Sequence, residues 1–235
     1  MDLRTLGHQI VERLLPDAVP AGAWWVPAAL LLALAVVVLP PAWRLARLAV
    51  TIVHELGHAI VGILLGRRFT GFVVSANMSG HAVTVGPRRG FGRVASTWAG
   101  YPAPALVGAV LVQIALHGWA PAALFAALVV LVLSLVFTRS LHTLGAVLGT
   151  AAGAGALWWW GSPVLTAVLT LAGGGFLLLG AWRHLGAVIR GGGRADDPAQ
   201  LAALSPLPGW VWTLSFAVAL AACTWWAGSA LAPHA

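Results

Sequence analysis

The sequence predicts an all-α polytopic membrane protein of six to seven transmembrane helices, with a short β-hairpin between the second and third. Three observations predict it. Hydrophobic residues make up 60% of the chain and charged residues only 8%, where a soluble domain carries roughly a quarter charged. The apolar residues gather into runs that approach the ~30 Å of a hydrocarbon core. The basic residues, 13 arginines with lysine absent, lie mostly between those runs.

In chain order, residues 1–22 carry Asp2, Arg4, Glu12, Arg13 and Asp17 with no small-residue cleavage site, and read as a cytoplasmic amphipathic leader that stays on the protein. Residues 23–235 read as a single membrane-embedded domain. The runs span 24–39, 45–66, 94–116, 121–137, 141–160, 163–182 and 210–231, with Pro40-Pro41 stopping the first. Tryptophans, among them Trp24, Trp43, Trp119, Trp158, Trp182 and Trp210, fall near run ends, as in interfacial belts. The 69–85 segment is too short and polar to span as helix. Its β-branched residues and central Asn77-Met78-Ser79-Gly80 turn predict the hairpin.

Arginine placement tests the count. With seven spans, one side receives Arg4, Arg13, Arg67, Arg68, Arg88, Arg89, Arg93, Arg139, Arg183, Arg190 and Arg194, and the other only Arg44 and Arg47. That bias places the N-terminus and the loops after the second, fourth and sixth spans in the cytoplasm. Six spans result if the fourth and fifth runs form a re-entrant pair. The net charge of +7 is then explained by orientation and needs no nucleic acid. The single Cys223 can form no intrachain disulfide. Glycines at four-residue spacing, Gly145, Gly149 and Gly153 in the fifth run and Gly62 and Gly66 in the second, suggest close helix packing. Gly173-Gly174-Gly175 marks a kink or a close contact.

The second run contains His54-Glu55-Leu56-Gly57-His58, an H-E-x-x-H motif. Residues four apart share a helix face. His54 and His58 can therefore present two imidazoles to one metal ion, with Glu55 beside them to take a proton from water. Glu55 is the only carboxylate in any apolar run, and ionisable residues in hydrocarbon are functional candidates. Chance would produce such a motif in this composition ~0.002 times. A catalytic zinc takes three protein ligands. The third could be His81, His142, His184, Asp196 or Asp197. His142 also reads as an interfacial residue, His184 as a solvated loop residue, and the Asp pair as a helix cap before Pro198. Spacing does not choose among them.

The motif inside an apolar helix resembles the site-2 protease family of intramembrane zinc metallopeptidases, in particular its compact bacterial branch without an appended soluble domain. Softer similarities follow in order: Ser79-Gly80, then Ala99-Gly100-Tyr101 with Pro104 and Gly108, then Thr138-Arg139-Ser140, and Asp197 with Gln200-Leu201-Ala202, Pro208 and Trp212. The resemblance runs over about residues 45–215. It implies an integral protein of a bacterial cell membrane that uses Zn2+ to hydrolyse peptide bonds of transmembrane protein substrates. It implies His54, His58 and Asp197 as ligands and Glu55 as the catalytic base, although the branch's usual Ser-Asp-Ala reads Asp196-Asp197-Pro198 here. Tyr101 and Asn77 are candidates for orienting substrate, with an interfacial anchor as the other reading of Tyr101. The rival function is a non-catalytic zinc-containing membrane protein that binds client transmembrane helices. A metal or proton transporter would want several ionisable groups in succession, and one cluster is visible. The expected surroundings are membrane lipid and a transmembrane substrate. The oligomeric state is open.

Overall fold

The computed structural model describes residues 2–22, 24–74, 80–191 and 196–232. It is mostly helical, with one two-stranded antiparallel sheet. A short helix, α1 (Leu3–Glu12), precedes α2 (Trp25–Val38) and α3 (Pro40–Leu64). Strands β1 (Arg68–Val74) and β2 (Gly80–Val85) follow, then α4 (Phe91–Trp98), α5 (Pro102–Leu116), α6 (Ala120–Ser134) and α7 (Leu141–Trp160). The chain finishes with α8 (Pro163–Gly191), α9 (Asp197–Leu204) and α10 (Gly209–Leu231).

Every expected apolar run forms helix, the third with a break between α4 and α5. Among the described residues, α3, the segment Ala120–Phe137, α8 and α10 are long and apolar enough to cross a membrane. The pair α4 and α5, bent by 58°, makes a fifth candidate. The 14 residues of α2 rise only ~21 Å, short of the ~30 Å of a hydrocarbon core.

Local chemistry sets the helix ends. Pro40-Pro41 does more than stop the first run. Leu39 is extended and the two prolines occupy the first turn of α3, where a missing N–H costs nothing. At its other end Gly66 adopts φ +76°, and Arg67 N donates to Gly62 O at 2.9 Å, a left-handed C-terminal cap. Ser140 caps α7 by accepting from Thr143 N at 3.1 Å.

The core lies around α8, the most enclosed candidate span. Ala105, Ala109 and Val112 of α5, Leu171 and Leu178 of α8, Phe216 and Leu220 of α10 and Trp25 of α2 form one buried cluster. Helices α5 and α8 approach so closely that a Cβ on Gly108 would stand 2.6 Å from Gly174 O. The Gly173–Gly175 stretch thus marks a close contact inside a continuous helix. Among the described residues, Gly145, Gly149 and Gly153 have nothing within 4 Å of where a Cβ would stand, so the expected packing stripe on α7 meets no partner helix there. Trp43 and Trp158, expected at an interface, are buried.

Helix α3 runs between two clusters. Trp43 and Val50 pack with Val37, Phe176 and Leu177 on one side. On the other, Ile52 packs with Phe72, Val74, Leu131, Val147 and Ala151. Beyond the expected end of the sixth run, α8 continues through Arg183 and His184. Arg183 donates to Val37 O and its guanidinium stands 4.4 Å from the Trp43 ring centroid, a cation–π contact.

The leader packs against the bundle. Asp17 N donates to Gly118 O at 2.9 Å and Arg13 Nη1 to Trp158 O at 3.1 Å. The 15 residues of α5 separate Gly118 from Tyr101 by ~22 Å. The leader therefore packs at the opposite end of α5 from the helix start that Tyr101 precedes, while Arg93 reaches Gln200 of α9 at the Tyr101 end.

Candidate metal centre

On α3, Thr51, Glu55 and Gly57 are buried while His54 and His58 are partly accessible, because the helix turns this polar face into a cavity of about 270 Å³. The neighbouring backbone leaves no spare room. A Cβ on Gly57 would stand 2.8 Å from Ala99 O, and one on Gly100 would collide with both imidazoles. Glycine at these two positions lets the α4–α5 corner close over the histidines.

The ligand atoms converge. His54 Nε2 and His58 Nε2 are 3.0 Å apart, and Asp197 Oδ2 lies 3.3 Å from the first and 3.2 Å from the second. A tetrahedral zinc with bonds of ~2.0–2.1 Å separates its ligand atoms by about 3.3 Å, so the triangle has the size of one face of such a site. Asp197 Oδ2 is buried and makes no hydrogen bond of acceptable geometry, although it faces two imidazoles. A buried carboxylate oxygen aimed at two ring nitrogens without a hydrogen bond is what a metal would satisfy. Burial works against the Asp197 charge, but the adjacent imidazoles hold its carboxyl below the usual carboxylate range. His54, His58 and Asp197 could hold a metal ion.

The backbone around His58 selects one tautomer. His58 Nδ1 is 2.8 Å from Ser96 O, so this nitrogen is the donor and Nε2 keeps its lone pair for a metal. Ser96 Oγ donates back to His58 O at 2.9 Å, tying α3 to α4. Asp197 arrives because Pro198 sits in the first turn of α9 and Leu201, wholly buried, anchors that short helix.

Glu55 is 3% exposed and lines the same cavity. Strand β2 closes on it: a Cβ on Gly80 would collide with its carboxylate. Tyr101 is 9% exposed, edge-on to His54 at 4.9 Å and stacked on Phe216 at 4.8 Å. It is a wall of the site and not an exposed anchor. Asp196 lines the cavity but makes no side-chain cap bond to α9. His81 lines it from β2, while His142 is exposed at the start of α7 and outside it. Asn77 lies outside the described residues. His184 is not a solvated loop residue: it lies on α8, edge-on to Trp43 at 5.7 Å, and lines the cavity. The apolar run continuing past Arg183, with Leu185, Val188 and Ile189, was the signal that could have placed it in a helix.

A family model described as Peptidase M50B-like matches residues 27–227. No curated protein and no solved structure matches the chain.

Proposed function

The chain belongs to the Peptidase M50B-like family, the site-2 protease family, and from that premise we propose that it is an intramembrane zinc endopeptidase hydrolysing peptide bonds in transmembrane protein substrates. The observation that carries the proposal is the convergence of His54, His58 and Asp197 on one point with Glu55 in the same cavity. Zn2+ held there would supply Lewis acidity to the scissile carbonyl and make water more acidic. Glu55, whose carboxylate is one residue from His54 on the same helix, takes the proton of the attacking water and delivers it to the leaving amine. Tyr101 orients the substrate beside His54.

A helical peptide bond is shielded by its own turn, so the substrate segment must unwind. Strand β2 pairs with β1 along one edge, and no further strand pairs with it among the described residues. Its His81, Ala82 and Thr84 line the cavity. An unwound segment can add to that edge, satisfying its backbone while it passes Glu55.

The test separates metal binding from cleavage. Glu55→Gln should keep about one zinc per chain and lose cleavage of single-span substrates by orders of magnitude. Loss of the zinc would remove Glu55 from the role of base. Full activity in the variant would show that another group is the base, and absence of cleavage by the unmodified chain would favour the non-catalytic binder of client helices.

The arginine bias supports a cytoplasmic face for the end carrying Arg67, Arg88, Arg93, Arg139 and Arg190, and the contacts of the leader with Gly118 and Trp158 support the opposite face for residues 1–22. In a Cys223→Ala background, Gly7→Cys and Arg89→Cys should label from opposite sides of the membrane. Labelling from one side would restore the leader to the cytoplasm.

A further inference from the structure

A second cavity, of about 490 Å³, adjoins the metal cavity and shares Thr84, Arg93 and Gln200 with it. Arg67, Arg88 and Arg93 all line it. Arg67 is 6% exposed and fixed by its own bonds, Nε to Thr84 Oγ1 at 3.2 Å and Nη1 to Pro87 O at 2.8 Å. Arg93 Nη2 reaches Gln200 Oε1 at 3.4 Å, and Arg88 is exposed. Among the described residues no carboxylate forms an ion pair with any of the three; the two ion pairs found are those of Asp197. Three arginines lining one pocket repel one another, and a carboxylate between them would relieve that repulsion with charge-assisted hydrogen bonds. Membrane orientation alone accounts for arginines on this end of the molecule, but it does not require that three of them converge on a cavity continuous with the metal cavity.

The direction of β2 says what reaches this pocket. Gly80 meets the Glu55 carboxylate, and four residues later the Thr84 methyl faces Gly62, one helical stretch further along α3. Four strand residues span ~13 Å. A substrate strand lying on the free edge of β2 with its scissile bond at Glu55 therefore brings its residue about four positions away to the arginines.

Resting on the proteolytic reading above, we propose that the Arg67–Arg88–Arg93 pocket is a specificity subsite for an acidic residue, about four positions from the scissile bond, in the extended segment of the substrate. The test uses binding, so that it stands apart from catalysis. Single-span peptides carrying Glu or Gln at three to five positions on each side of the cleavage point are titrated against the full-length Glu55→Gln protein in non-ionic detergent. On one side, the Glu peptide should bind about tenfold more tightly than the Gln peptide, with the ratio falling as salt rises. Arg88→Gln and Arg93→Gln should each bring the ratio towards one, and Arg88→Glu should invert it in favour of a Lys peptide. Equal Kd values for Glu and Gln peptides on both sides would overturn the subsite, as would a ratio untouched by the arginine variants. Equal peptide binding together with Arg88-dependent capture of phosphatidylglycerol vesicles would overturn it too, and would give the pocket to lipid headgroups. Absence of cleavage by the unmodified chain, with the Kd ratio intact, would overturn the peptidase reading and leave the subsite standing.

Discussion

Helices α3 and α7 carry the same sequence signature, an apolar helix with glycines along it, and use it in opposite ways. On α3, Gly57 and Gly62 face α4 and α5 at distances that leave no ordinary room for a Cβ, and Gly100 across the interface is equally confined. On α7, Gly145, Gly149 and Gly153 face open space among the described residues. Glycine spacing thus reports that a close approach is permitted, and only a neighbour makes it happen. On α3 the neighbour matters because two imidazoles and a carboxylate must share a cavity with backbone from three other elements. A Cβ at the wrong place there displaces a ligand, whereas on α7 it displaces nothing.

The largest effect should come from the group that the crowded face receives from α9. Asp197→Ala should lower zinc affinity at least tenfold and abolish cleavage, since two imidazoles do not complete the site. Asp196→Ala, which removes a cavity-lining carboxylate one residue away, should leave metal content within about threefold. Metal titration on the two variants checks the pair, and equal losses would show that the ligand is shared or misassigned. Next is Gly100→Ala, which pushes a methyl between His54 and His58. It should weaken zinc binding by about tenfold to a hundredfold while leaving the helical circular dichroism unchanged. Retention of full affinity would mean that the α4–α5 corner yields easily and that confinement is not what holds the histidines.

The comparison sharpens away from the metal. Gly174→Ala puts a Cβ 2.7 Å from Gly108 O and should destabilise the fold by about 1–3 kcal/mol, as overpacking does. Gly149→Ala meets nothing and replaces a poor helix former, so it should be neutral or stabilise by up to about 1 kcal/mol. Thermal unfolding in detergent distinguishes the two. If Gly149→Ala instead costs as much as Gly174→Ala, the open face of α7 is covered by something, a second copy or another chain.

The sequence by itself determined the helices, because apolar runs, prolines and glycine caps act within a few residues of one another. It placed Pro40-Pro41 and Gly66 at helix boundaries, the strands after the metal helix, and His54, Glu55 and His58 around a single turn. Their relation depends only on the 3.6-residue period of the helix. What the period cannot encode is which distant segment returns to that turn. Among His81, His142, His184, Asp196 and Asp197, family resemblance pointed to Asp197, and the packing of α9 against α4 and α10, with buried Leu201 as its anchor, is what carries it to the imidazoles. The same holds for Tyr101, which packing turned into a wall of the site, and for His184, which the continuation of α8 carried into the cavity. Hydropathy measures how apolar a helix is, while the end of the bundle at which the leader docks depends on contacts such as Asp17 with Gly118, made between residues that no local pattern relates.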